Sequence, residues 1–208
     1  TSYPQGAEKM LIRACTGRVV PAGKLPSDAG CVVMNVTSVA FLAKYLKTGM
    51  PLVSKRITVS GDAVGRPCNV IVPIGTSIAD VIEFCGGYAK KPRKILYGGP
   101  MMGITAPNDT LPILKNTNAI LAFSSEETEL PPEGDCIRCG RCAYNCPMGL
   151  MPITIANAAE HGDGEKLAAL NAMSCIECGS CSFVCPAHRA VLQRVRLGKT
   201  ILKERKPV

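Results

Sequence analysis

The chain has 208 residues, 47% hydrophobic and 19% charged, with a formal net charge of +8. That length carries one or two domains with cores of their own, so a disulfide-stapled mini-protein is excluded. No apolar run approaches the roughly eighteen residues of a membrane helix, and the first residues lack a charged start followed by an apolar core, so a soluble chain in a reducing compartment is expected.

Tyr3-Pro4-Gln5-Gly6 reads as a turn, and the residues after it follow helical spacing with Met10, Leu11 and Ala14 on the apolar side until Gly17. Cys31 to Val36 is a short apolar run with strand character. Thr37 or Ser38 is placed to cap a helix reaching Lys47, with Val39, Leu42, Ala43 and Leu46 on its apolar face. A helix hung on one loop and one strand is too little for a domain. Residues 1–50 are therefore expected to be the C-terminal remnant of a larger α/β unit.

From Pro51 the texture changes. Arg56 to Gly61 alternates as a strand, Asn69 to Pro73 returns as its partner, and Ser77 opens a helix with Ile78, Val81, Ile82 and Cys85 on one face. Lys94 to Tyr97 and Asn118 to Phe123 add further strands. This order over 51–123 predicts a small β-grasp unit. The run Gly98-Gly99-Pro100-Met101-Met102-Gly103 lacks the Lys-Ser/Thr of a phosphate loop and the spacing of a dinucleotide fingerprint, so a structural turn is expected, with both methionines packing. Residues 124–135, with Glu126, Glu127, Glu129, Glu133 and Asp135, two prolines and no basic residue, read as an acidic linker.

The chemistry lies in the next stretch. Cys136, Cys139, Cys142 and Cys146-Pro147 form one C-x2-C-x2-C-x3-C-P run, and Cys175, Cys178, Cys181 and Cys185-Pro186 form a second. Bacterial two-cluster ferredoxins hold [4Fe-4S] clusters with this run, and there the fourth Cys ligates the other cluster. Two-residue gaps let three thiolates converge from one tight turn, with Gly140 and Gly179 supplying backbone freedom. The expected ligand sets are crossed: Cys136, Cys139, Cys142 and Cys185 for one cluster, Cys175, Cys178, Cys181 and Cys146 for the other. Zinc sites use C-x2-C pairs at long separations rather than two identical four-Cys runs. Arg138 and Arg141 beside the first run, against Glu177 beside the second, predict that the first cluster is the more easily reduced.

Helical segments are expected around Ile153 to Glu160, Gly164 to Met173 and from about Arg189. The last carries Arg189, Arg194, Arg196, Lys199, Lys203, Arg205 and Lys206 against only Glu204. Scarce aromatics and the lack of a recognisable module argue against nucleic acid. A solvated helix face is expected, with docking onto an acidic redox partner or an anionic lipid surface as the alternative. Cys15, Cys31, Cys68 and Cys85 lack paired spacing and are read as buried small hydrophobes. His161 and His188 are read as isolated histidines rather than ligands.

Tyr3-Pro4-Gln5-Gly6-Ala7-Glu8-Lys9, Asn35-Val36-Thr37, the Gly98 to Gly103 run and the two Cys runs occur in the order seen in the C subunit of the Rnf ion-translocating electron transport complex, which the whole chain resembles. The resemblance implies an α+β protein. It would comprise a remnant of an α/β flavin/NADH domain over 1–50, an SLBB-type β-grasp domain over 51–123, the linker 124–135, and a helical two-[4Fe-4S] ferredoxin domain over 136–208. It also implies that Gly6, Glu8, Asn35 and Ser38 lie near a flavin and nucleotide site. The upstream glycine-rich flavin loop is not among these 208 residues, so FMN and NADH are expected only in the full-length subunit. Implied partners are the other subunits of a membrane complex and ferredoxin, with peripheral placement on the cytoplasmic side and only indirect membrane contact. A similar architecture occurs in the cobalamin reductase of bacterial microcompartments, and a binding module with purely structural clusters is the reading from another class.

Overall fold

Helix α1 (Glu8–Thr16) ends at Gly17, whose left-handed backbone returns its N–H to the carbonyl of Arg13. The computed structural model describes residues 2–129 and 131–205, so Lys206 of the basic segment lies outside the described residues. The chain falls into two units, Thr1–Val33 with Pro131–Val208 and Met34–Leu130. In α1 the buried side chain is Ile12, while Leu11 and Ala14 are exposed, so the apolar face expected from spacing is rotated. A 3-10 turn at Pro26–Ala29 follows.

The second unit begins with α2 (Val36–Thr48). The expected strand Cys31 to Val36 is not formed: Cys31 to Asn35 is irregular and Val36 already belongs to the helix. A run of apolar residues makes a strand only where a neighbour supplies the ladder. The cap is also displaced from Thr37 or Ser38 to Asn35, whose side-chain oxygen accepts from the Thr37 N–H at 2.9 Å and from the Thr37 hydroxyl at 2.7 Å. The expected apolar face of α2 lies open, with Leu46 77% exposed.

Five strands then form one mixed sheet: β1 (Ser54–Ser60), β2 (Cys68–Pro73), β3 (Lys94–Tyr97), β4 (Ile104–Ala106) and β5 (Ala119–Phe123), in the order β2-β1-β5-β3-β4. Strand β1 pairs antiparallel with β2, Ile57 opposite Val70, and parallel with β5, Val59 opposite Ile120. Helix α3 (Ile78–Phe84) is capped by Ser77, whose hydroxyl accepts from the Asp80 N–H. It buries Ile78, Val81 and Ile82 against Ile57, Val59, Val70, Val72, Ile113 and Ile120. Gly61 follows β1 with φ +114°, and a Cβ there would lie 2.0 Å from the Ala122 carbonyl oxygen, so no other residue fits that approach. The short strand β4 has no counterpart in the sequence reading, because it follows the glycine turn with only three residues.

The acidic stretch is held at both ends. Asp62 accepts from the Ser124 N–H at 2.8 Å and from its hydroxyl, and the single turn α4 (Ser125–Thr128) follows. The Ser124 hydroxyl and N–H, with Lys90 beside them, hold the Asp62 carboxyl below its ordinary value. In the other unit, Glu133 pairs with Arg189 and Arg194, which also reach Glu160.

That unit continues with α5 (Arg141–Tyr144), α6 (Pro152–Glu160), α7 (Gly164–Ala169), α8 (Ser180–Phe183) and α9 (Val191–Glu204). Pro152 stands in the first turn of α6, where its missing N–H costs nothing. Ile155, Ala156 and Ala159 of α6 meet Leu167 of α7 and Val191, Leu192 and Val195 of α9 in one core. The Cys residues outside the two runs depart from expectation: Cys15 is exposed, Cys31 and Cys68 are half-buried, and only Cys85 is buried. Cys68 and Cys85 lie 3.5 Å apart between sulfurs, close in space though not in sequence.

Candidate iron-sulfur centre

The two Cys runs fold into the same backbone. Residue three of each C-x2-C is left-handed, Arg138 at φ 56° and Glu177 at φ 57°, and Gly140 and Gly179 follow at 74° and 82°. Three residues beyond the fourth Cys the pattern repeats, with Gly149 at 63° and His188 at 52°. Each run wraps around one helical turn, α5 or α8, and then turns back. His188 is thus a turn residue standing where the first run has glycine.

The structure brings the fourth Cys of the first run to the second run. Cys146, Cys175, Cys178 and Cys181 line one cavity, walled by Pro147, Leu150, Ile155, Ile176, Leu192 and Val195. Its accessible walls are almost wholly apolar, and the polar groups that reach the thiols come from the loop itself, among them the Glu177 N–H at Cys175 and the Ser180 hydroxyl 3.4 Å from the Cys178 sulfur. Burial, with Cys175 next, pushes the Cys181 thiol up to about 11, while the Ser182 N–H pulls the other way. Burial also raises Cys175, against the Glu177 N–H at 3.3 Å and the nearby Lys199. Such thiols keep their protons until a metal displaces them. Among the described residues no three Cys, His, Asp or Glu side chains converge closely enough for a single metal ion. A cubane, whose irons each take one thiolate, suits thiols spread around a cavity.

The first run is open by contrast. Cys136 and Cys139 are exposed, as are Arg138 and Arg141. The second run is supported from outside its own loop. Tyr3 donates its hydroxyl to the Cys178 carbonyl at 2.6 Å, and burial, with the Cys178 charge next, raises its pKa. Lys199 of α9 donates to the Cys175 carbonyl at 3.1 Å and pairs with Glu177, which Arg196 also holds at 2.9 Å. Burial raises the Glu177 carboxyl, but Lys199 and Arg196 outweigh it and leave it lowered. The negative charge expected beside the second run is therefore compensated twice. Four cations of the basic C-terminal segment, Arg189, Arg194, Arg196 and Lys199, are in ion pairs rather than on a freely solvated face. Tyr3 and Lys199 leave no signal in the sequence, since each acts across a long separation through a single side chain.

The flavin positions belong to two helix starts, one in each unit. Gly6 and Glu8 stand at the start of α1, and Asn35 and Ser38 at the start of α2 in the other unit, all four exposed. The Asn35 side chain is occupied by its capping bonds.

Three family models match the chain: a Nuo51 FMN-binding domain over residues 1–44, an SLBB domain over 56–105 and a 4Fe-4S dicluster domain over 135–189. With the paired runs, these matches define an iron-sulfur protein of the two-cluster type. The chain is 46% identical over 199 residues to the C subunit of the Na(+)-translocating ferredoxin:NAD(+) oxidoreductase complex of Acetobacterium woodii, covering 96% of this chain and 45% of that protein. It is 43% identical over 205 residues to the C subunit of the ion-translocating oxidoreductase complex of Rhodobacter capsulatus, covering 99% and 40%. To the C subunit of the proton-translocating ferredoxin:NAD(+) oxidoreductase complex of Clostridium ljungdahlii it is 47% identical over 152 residues, covering 73% of this chain and 33% of that protein. The chain belongs to this family of C subunits, and it spans less than half the length of these relatives.

Proposed function

We propose that this chain is the electron-relaying part of the C subunit of a membrane-associated, ion-translocating ferredoxin:NAD oxidoreductase. Single electrons pass through two [4Fe-4S] clusters between a flavin/NADH site, which belongs to the full-length subunit, and other subunits or ferredoxin. The observation that carries this reading is the apolar cavity in which Cys146 joins Cys175, Cys178 and Cys181. The internal repeat supports the reciprocal set Cys136, Cys139, Cys142 and Cys185. The proposed domain limits are 1–50, 51–123, 124–135 and 136–208.

Each bound cluster supplies a one-electron couple whose potential follows charge, hydrogen bonding and exposure. The chain's residues provide the rest. Leu150, Ile155, Leu192 and Val195 keep water from the second set of thiolates. The exposed Cys136 and Cys139 leave the first set reachable from solvent, where a partner docks. Gly6, Glu8, Asn35 and Ser38 are proposed to face the flavin and nucleotide. Among the described residues no helix is long and apolar enough to cross a membrane, so attachment on the cytoplasmic face through partner subunits fits the chain.

The test is iron and sulfide content under strict anaerobiosis with EPR of the dithionite-reduced protein. About eight irons per chain and interacting [4Fe-4S]+ signals are expected. Zinc, or no metal, in protein never exposed to oxygen would overturn the reading.

A further inference from the structure

The loops of the two runs have the same backbone but unequal electrostatic surroundings. Around the second loop stand three charged side chains from two elements: Glu177 in the loop itself, and Arg196 and Lys199 one turn apart on α9. They are not equivalent. The Lys199 side chain is 15% exposed, Glu177 31% and Arg196 46%. The ammonium of Lys199 also donates directly to the Cys175 carbonyl, so it sits against the ligand loop rather than beyond its counter-ion. Arg138 and Arg141, the cations of the first loop, lie in solvent, where water and salt screen them. A fixed charge acts on a neighbouring redox centre more strongly the less solvent surrounds it. The sum at the second loop is two cations against one anion, with the least exposed cation closest to a ligand residue.

We infer that Lys199 is a positioning residue that raises the reduction potential of the second-run cluster, so that this cluster, not the first, is where electrons rest in the relay. The inference rests on the two-cluster reading. Reduction adds one negative charge to the cluster. The nearby ammonium stabilises that reduced form, and Glu177 opposes it while fixing the lysine in place. The charge contrast expected from sequence is thereby reversed.

The experiment is an EPR-monitored redox titration of the full-length subunit with both clusters in place. In Lys199→Met the ratio of reduced to oxidised cluster at a fixed potential should fall about tenfold for one cluster, about 59 mV for a one-electron couple, while the other cluster stays put. Lys199→Arg should keep the native value. Glu177→Gln, which leaves the cations uncompensated, should move the same cluster in the opposite direction. A merely structural role would not give shifts of opposite sign. Unmoved midpoints in Lys199→Met, or shifts of the same sign in Lys199→Met and Glu177→Gln, overturn the inference. If Lys199→Met fails to retain its cluster, the direction of the Glu177→Gln shift decides alone. Loss of the paired [4Fe-4S] signals in the unmodified protein would instead sink the two-cluster reading itself.

Discussion

The first and second Cys runs share spacing, backbone and helical turn, yet one is laid open and the other is enclosed. Arg138 and Glu177 adopt the same left-handed conformation although their side chains carry opposite charge. Local geometry follows the repeat because three thiols two residues apart leave the chain one way to turn. Surroundings follow long-range packing, which gives the second run α6 and α9 as walls and Tyr3 and Lys199 as outside donors. Repetition thus fixes how each cluster is gripped, and tertiary context fixes what each cluster feels.

The sharpest way to break this contrast is Cys146→Ser. Although Cys146 belongs by sequence to the first run, the change should remove the second-run cluster, and iron content should fall by about half, from roughly eight to four atoms. Loss of the first-run cluster instead would show that each run ligates its own. Next in size, Ile155→Ala opens the wall behind the second set of thiols and removes a fully buried side chain. A cost of about 2–5 kcal/mol is expected in chemical denaturation, with the exposed first run losing iron no faster than before.

Acid should act on the approach to the first run. Hydrogen bonding from Arg194, with its charge and that of Arg189, outweighs desolvation and holds the Glu133 carboxyl below its ordinary value. A lowered folded pKa means that its contribution is fully present above the usual carboxylate value of about 4 and drains as pH falls through the folded value. Thermal unfolding followed from about pH 6 down to about pH 3 should show this loss, and Glu133→Gln should flatten it. The smallest effect is expected from His188→Gly, which copies Gly149 of the first run into the second. Relief of the left-handed backbone favours the variant by about 1 kcal/mol, partly offset by the greater freedom of glycine when unfolded. A melting temperature that falls instead would show that the His188 side chain has a job beyond its turn.

Much of the architecture is legible from local pattern. Strands β1, β2, β3 and β5, helix α3 and the two loops at Gly140 and Gly179 follow from alternation, capping and spacing, all of which act within a few residues. The misses have a common cause. Cys31 to Val36 carries strand-like residues but no ladder partner, and Asn35 captures the helix start two residues before the expected cap. The open face of α2 and the rotated face of α1 show that apolar periodicity marks a surface without saying what lies against it. All eight cysteines of the proposed iron-sulfur site can be named from sequence. The meeting of Cys146 with Cys175, Cys178 and Cys181 rests on analogy until the fold supplies the cavity, and the pairing of Glu177 by α9 cannot be read from spacing at all.

The unit that carries the clusters is discontinuous, joining residues near Tyr3 to a loop that contains Cys178, with Met34–Leu130 between its two parts. On a ribosome this imposes an order of events. The sheet unit is complete as soon as its own residues have emerged, whereas Tyr3 must wait for a partner 175 residues further on, roughly 9–35 s at the usual synthesis rate of about 5–20 residues per second. The proposed ligand sets are completed just as late: Cys181 closes one and Cys185 the other, so neither set of thiols is whole until the second run has been made.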